Sequence, residues 1–170
     1  TLKQLREHKK QVIIVSNSGK RTSHNMEQLD KLGFNKSLYA AVISAGEVAW
    51  QGLFAQAEKP FNNIGKNCLL LSKKGDTALI EGLDIHPVKT PEEADFILLT
   101  GVEQPDKPLE EYEELLKKCV TKGLPMICAN PDILTVQGSQ RLMGPGQIAA
   151  RYQEFGGVSY FIGKPHPPVF

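Results

Sequence analysis

Short runs of branched and aliphatic residues alternate along the chain with segments whose apolar positions recur every three or four residues. The runs QVIIVS (11–16), YAAVIS (39–44), NCLLLS (67–72), DFILLTG (95–101), PMICAN (125–130) and VSYFIG (158–163) predict strands, with a shorter one near IHPVK (85–89). Between them TSHNMEQLDKLG (22–33) places Met26, Leu29 and Leu32 at helical spacing and stops at Gly33. Helices are likewise predicted for AGEVAWQGLFAQ (45–56), DTALIEGL (76–83) and QIAARYQEFG (147–156). The segment PLEEYEELLKKCVTKG (108–123) runs from acidic to basic and closes on Gly123, which suits both the helix dipole and a left-handed helix end. TVQGSQRLMGPG (135–146) predicts a small hairpin, and Leu2 and Leu5 share one face of a helix at the start of the chain.

This alternation predicts an α/β fold with a largely parallel sheet. The stretch EKPFNNIGKN (58–67), with Pro, Gly and Asn, reads as a linker. A few β/α pieces, then a self-contained α/β series, then a further β/α piece suggest one domain inserted within another. The chain opens without Met inside a helical pattern and closes in the loop GKPHPPVF. Both ends look cut, so a fragment of a longer protein is expected.

Composition removes several function classes. With 20 basic and 19 acidic residues the net charge is +1, so no general field attracts nucleic acid or an anionic membrane. No apolar run approaches the roughly 20 residues of a membrane span, and no secretory signal leads the chain. Cys68, Cys119 and Cys128 are odd in number and lack C-x-x-C spacing. They read as reduced core residues rather than catalytic thiols, which suits a cytoplasmic protein.

Two phosphate-loop patterns fail on inspection. SNSGKRT (16–22) lacks the earlier glycine of a Walker loop and follows its lysine with Arg21. GPGQIA (144–149) fits a loose dinucleotide fingerprint, but SQRLM is a poor buried strand and Lys164 sits near where the ribose-reading acid belongs. The strand end VSNSG (15–19) leaves two readings open. Ser18, Thr22 or Ser23 caps the following helix, which the local sequence favours. Alternatively Ser16 and Asn17 bring a hydroxyl and an amide to a strand end beside a helix N-terminus, as an anion site. FIGKPHPPVF (161–170) supports the second, because Lys164 stands at another strand end, between Gly163 and Pro165, as a fixed ammonium for a phosphoryl group. Lys20 and Arg21 then read as solvated charges, and His166 as a loop residue.

VSNSGKR, LYAAVISAGEVAWQGL, PMICANPDILTVQG, MGPGQIAARY and FIGKPHPPVF, in this order, resemble the haloacid dehalogenase-like hydrolases. The closer resemblance is to the subfamily with a large α/β cap, which contains many small-molecule phosphatases of the 4-nitrophenylphosphatase type. It implies a Rossmann-like parallel-sheet core, present in part at 1–46 and 141–170, with an inserted α/β cap at 47–140. It further implies that Ser16 binds the transferring phosphoryl group and that Lys164 neutralises its charge. Asn17 and Ser18 adjoin that group, and Asn130 and Asp132, where the cap returns to the core, contact substrate.

The family's Asp nucleophile, its D-x-D motif and its acidic metal motif have no counterpart here, and would lie before Thr1 and after Phe170. For the complete enzyme the resemblance implies an aspartyl-phosphate intermediate, Mg²⁺, a small phosphorylated substrate and a homodimer through the cap. No metal ligand is expected in this segment, and the segment alone is expected to be inactive. The rival reading is a non-catalytic α/β binding or dimerisation module on a degenerate core. A response-regulator or nucleotide-binding domain fits less well, since only Glu47 and Asp132 lie near strand ends.

Overall fold

The computed structural model describes residues 1–104 and 107–170. A short exposed helix α1 (Leu2–Glu7) leads to β1 (Ile13–Ser16), α2 (Thr22–Lys31), β2 (Ala41–Ser44) and α3 (Ala45–Ala55). Then come β3 (Asn67–Leu71), β4 (His86–Val88), β5 (Phe96–Leu99), α4 (Glu113–Lys122) and β6 (Pro125–Cys128). The hairpin β7 (Leu134–Gln137) and β8 (Gln140–Met143), helix α5 (Pro145–Glu154) and β9 (Val158–Phe161) complete the order.

Among the described residues the strands form three sheets: a parallel pair β1–β2, a parallel sheet in the order β4-β3-β5-β6-β9, and the antiparallel hairpin β7–β8. β5 lies at the centre of the larger sheet and all four of its residues, Phe96 to Leu99, are buried. That is why it reads as a continuous apolar run rather than an alternating one. Phe96 and Leu98 face Ala45, Ala49 and Leu53 of α3. Ile97 and Leu99 face the other side, with Leu116 and Cys119 of α4 and Ile148 and Tyr152 of α5. Tyr152 donates its hydroxyl to the Leu124 carbonyl at 2.6 Å, fixing α5 beside the start of β6.

Several expectations change. Residues 76–83 form turns rather than a helix. Asp76 Oδ1 accepts the Ala78 N–H at 2.9 Å, and Lys74, Gly75 and Gly82 take left-handed backbone angles, so side chain and glycines bend the segment. Leu79 and Ile80 are buried all the same. The 58–67 segment also buries apolar groups, Phe61 and Ile64, against α3 and β5. The positions 46/47 and 140/141 lie within α3 and β8 respectively. β9, grouped above with the first part of the core, pairs with β6 from Pro125↔Val158 to Cys128↔Phe161.

Candidate functional site

The carboxyl ends of β1, β5, β6 and β9 converge, and the residues singled out from the sequence lie there. Ser16 and Ser44 end β1 and β2 in register. Ser44 is fully buried; its Oγ accepts the Glu47 N–H at 3.1 Å and donates to the Lys20 carbonyl at 2.8 Å. This draws the 17–20 loop across the end of β2. Within the loop Ser16 Oγ accepts the Ser18 N–H at 3.2 Å, and Ser18 Oγ accepts the Lys20 N–H at 3.3 Å. Each hydroxyl turns the backbone two residues on, as short polar side chains do in turns.

Two glycines permit the packing around this loop. A Cβ on Gly19 would lie 2.4 Å from the Thr100 carbonyl oxygen at the end of β5. One on Gly46 would lie 2.5 Å from the Gly19 backbone.

The helix-cap reading of this stretch is corrected. None of Ser18, Thr22 and Ser23 caps α2; the Thr22 N–H donates instead to Glu47 Oε2 at 3.0 Å. The same carboxylate accepts Arg21 Nε at 2.8 Å and Nη2 at 3.0 Å, a bidentate pair. The Arg21 hydrogen bond, with the Thr22 N–H in support, holds the Glu47 carboxyl below its ordinary value against the opposing effect of burial. Arg21 also lies 3.8 Å from the centre of the Trp50 ring, and Lys20 pairs with Asp76. Both basic residues are therefore engaged rather than simply solvated. Nothing local to them predicts it, because their partners are 26 and 56 residues away in the chain.

Lys164 reaches the same place from β9. The Ile162 N–H continues the β9 ladder to the Cys128 carbonyl at 2.9 Å, and Gly163 then turns the chain at φ 129°. The Lys164 N–H donates to Asn17 Oδ1 at 2.7 Å, and Asn17 Nδ2 donates to the Lys164 carbonyl at 3.0 Å and to Asp132 Oδ1 at 2.8 Å. The Lys164 ammonium donates to the Val15 carbonyl at 2.8 Å, next to Ser16. Among the described residues it makes no ion pair. His166 stacks on Phe161, with ring centres 5.0 Å apart.

Asn130 Oδ1 accepts the Asp132 N–H at 3.1 Å. A cavity of about 340 Å³ opens beside these strand ends, lined by Ser18, Lys20, Lys73, Thr100 and Asn130, with Val136, Leu142 and Met143 of the hairpin as its apolar wall. Sequence reading missed Lys73 and Thr100, although TG after the apolar run of β5 is a strand end of the same kind as VSNSG. Among the described residues no group of three or more His, Cys, Asp or Glu side chains is placed to hold a metal ion. Among the described residues no helix is long and apolar enough to cross a membrane.

No curated protein matches the sequence. The structure is similar to a hydrolase of the haloacid dehalogenase-like family from Brucella suis 1330, at 28% identity and a TM-score of 0.88, covering 99% of this chain and 59% of that one. It is also similar to the glycerol phosphate phosphatase Rv1692 from Mycobacterium tuberculosis solved with magnesium, at 19% identity and TM-score 0.69, covering 99% of this chain and 49% of that one. A p-nitrophenyl phosphatase from Archaeoglobus fulgidus matches at 23% identity and TM-score 0.59, covering 94% of this chain and 58% of that one. The chain thus spans between about half and three-fifths of these proteins, and the last two establish likeness of fold. The family described as haloacid dehalogenase-like hydrolase matches residues 1–86, half of the chain, and to that family this protein belongs.

Proposed function

We propose that the protein containing this chain is a phosphomonoester hydrolase acting on a small phosphorylated metabolite, in which Ser16 and Lys164 bind the transferring phosphoryl group. The observation that carries this reading is that the Lys164 ammonium, from the end of one sheet, donates to the carbonyl of Val15, the residue before Ser16 at the end of another. Phosphoryl transfer depends chiefly on positioning and on neutralising charge spread over the equatorial oxygens. The Ser16 hydroxyl accepts from the Ser18 N–H, which leaves its proton to donate to one such oxygen. The Lys164 ammonium supplies the opposing charge. The 340 Å³ cavity at the neighbouring strand ends, lined by Ser18 and Asn130 though not by Ser16 or Lys164, has the size for the organic part of a small ester.

The nucleophile is an Asp outside residues 1–170, forming an aspartyl phosphate that water hydrolyses. Magnesium, held by residues outside this segment, would neutralise phosphate charge in the complete enzyme. The open outer edge of β1 supports a missing neighbour, because a parallel sheet of two strands leaves Ile13 55% exposed on a strand that the doubly covered architecture would bury. The test is hydrolysis of 4-nitrophenyl phosphate with Mg²⁺, by this segment and by a protein extended at both ends. Turnover is expected from the extended protein alone. A folded, extended protein without activity, or one lacking an Asp upstream of Thr1, removes the reading.

A further inference from the structure

The Asn17 carboxamide sits where a substrate ligand is expected, yet its hydrogen-bonding capacity is largely spent on the protein itself. Its oxygen accepts the Lys164 N–H at 2.7 Å, and its nitrogen donates to the Lys164 carbonyl at 3.0 Å and the Asp132 carboxylate at 2.8 Å. Both amide protons are in use, and these partners fix which end of the amide is oxygen and which is nitrogen. Towards Lys164 the side chain behaves like a peptide group of a neighbouring strand, answering both a donor and an acceptor of one residue.

The backbone is shaped to receive it. Gly163 has φ 129°, and a Cβ there would lie 2.9 Å from Asn17 Oδ1 and 2.8 Å from Pro131 Cδ. Any other residue would obstruct the amide, in a backbone conformation that favours glycine. Asp132 follows β6 and Lys164 follows β9, neighbouring strands of the larger sheet, whereas Asn17 follows β1 of the smaller one. One side chain thus joins the end of the small sheet to two adjacent strand ends of the large one.

We infer that Asn17 is a positioning residue that clamps Lys164 and Asp132 to the end of β1, rather than a ligand of the substrate. Its hold on the Lys164 backbone sets the point from which the lysine stem reaches towards Ser16. The catalytic consequence rests on the phosphatase reading above; the clamp itself does not. Displacement of a charge-stabilising group by about 1 Å is enough to cost on the order of 10²-fold in rate, and such a loss falls on kcat because the charge it answers is greatest in the transition state.

The experiment uses the full-length protein with Asn17→Ala, Asn17→Asp, Asp132→Asn and the double variant N17D/D132N. For 4-nitrophenyl phosphate, Asn17→Ala is expected to lower kcat by roughly 10–100-fold while KM stays within about threefold. Asn17→Asp sets two carboxylates against each other and should be at least as poor. N17D/D132N returns a donor opposite the introduced carboxylate, which still accepts the Lys164 N–H but leaves the Lys164 carbonyl without its donor, and should recover part of the loss. A rise in KM with kcat unchanged, or no recovery in the double variant, overturns the inference.

Amide hydrogen exchange gives a readout independent of catalysis. Asn17→Ala should speed exchange at Lys164 by tenfold or more and leave Ile162, bonded to Cys128, unchanged. Unaltered exchange at Lys164 overturns the clamp. If the wild-type protein lacks phosphatase activity, the proposed function falls and exchange alone decides the clamp.

Discussion

The Lys164 ammonium lies 2.8 Å from the Val15 carbonyl oxygen, across 149 positions of sequence, and this contact brings the lysine singled out from the sequence to the strand that ends in Ser16. Lys164→Met removes the charge and keeps most of the stem. If the full-length protein is the phosphatase proposed above, this change is expected to lower kcat by on the order of 10²-fold or more, with an unchanged far-ultraviolet circular dichroism spectrum. Retention of more than a third of wild-type kcat would show that the phosphoryl group is neutralised elsewhere.

Gly46 supports the site from beneath. Its added methyl in Gly46→Ala would meet the Gly19 and Lys20 backbones at 2.5–2.6 Å, and backbone does not move aside as a flexible side chain does. The expected cost is about 1–3 kcal/mol, read as a fall in melting temperature of roughly 2–12 °C for a chain of this size. A melting temperature equal to that of the wild type would mean that the loop and α3 pack less closely than described.

Glu47 makes stability depend on pH. Its carboxyl is held below the ordinary value, first by the Arg21 hydrogen bond, so the folded state favours the ionised form more than the unfolded state does. The contribution is present in full above the unfolded value, about 4.3, and disappears as pH falls through the depressed folded one. Glu47→Gln should cost about 1–3 kcal/mol near neutral pH, by urea denaturation. The gap between the two proteins should narrow as pH drops below about 4. A gap of constant size across that range would assign the loss to shape rather than charge.

The thiols are expected to be inert. Cys68, Cys119 and Cys128 are fully buried, and burial is the main cause that pushes them up to about 12, 11 and 12 respectively. A thiol-reactive disulfide reagent near pH 8 should label none of them in the native protein and all three in denaturant. Rapid native labelling of any one would place that cysteine at the surface.

The strands at the centre of the molecule were legible because burial on both faces writes itself as an unbroken apolar run. Phe96 to Leu99 is the clearest case. The turn at 76–83 was not legible. Ala78, Leu79 and Ile80 look helical, and the bend comes from an Asp side chain bonding its own backbone and from glycines outside the apolar pattern. Asn17 was recognised as part of the site, but its partners, 115 and 147 residues away, leave no local trace.

By itself the sequence determined most of the element types, residues 76–83 excepted, the α/β class, and that hydroxyl, amide and lysine stand at strand ends, since each depends on periodicity or on neighbours within a few residues. Tertiary structure decided which strands share a sheet, that β9 lies beside β6, and that Arg21 and Lys20 are paired. It also decided that Asn17 faces Lys164 and Asp132. These are long-range choices, settled by which apolar faces cover one another and which buried polar groups find partners, and several arrangements of the same strands are compatible with one pattern of local sequence.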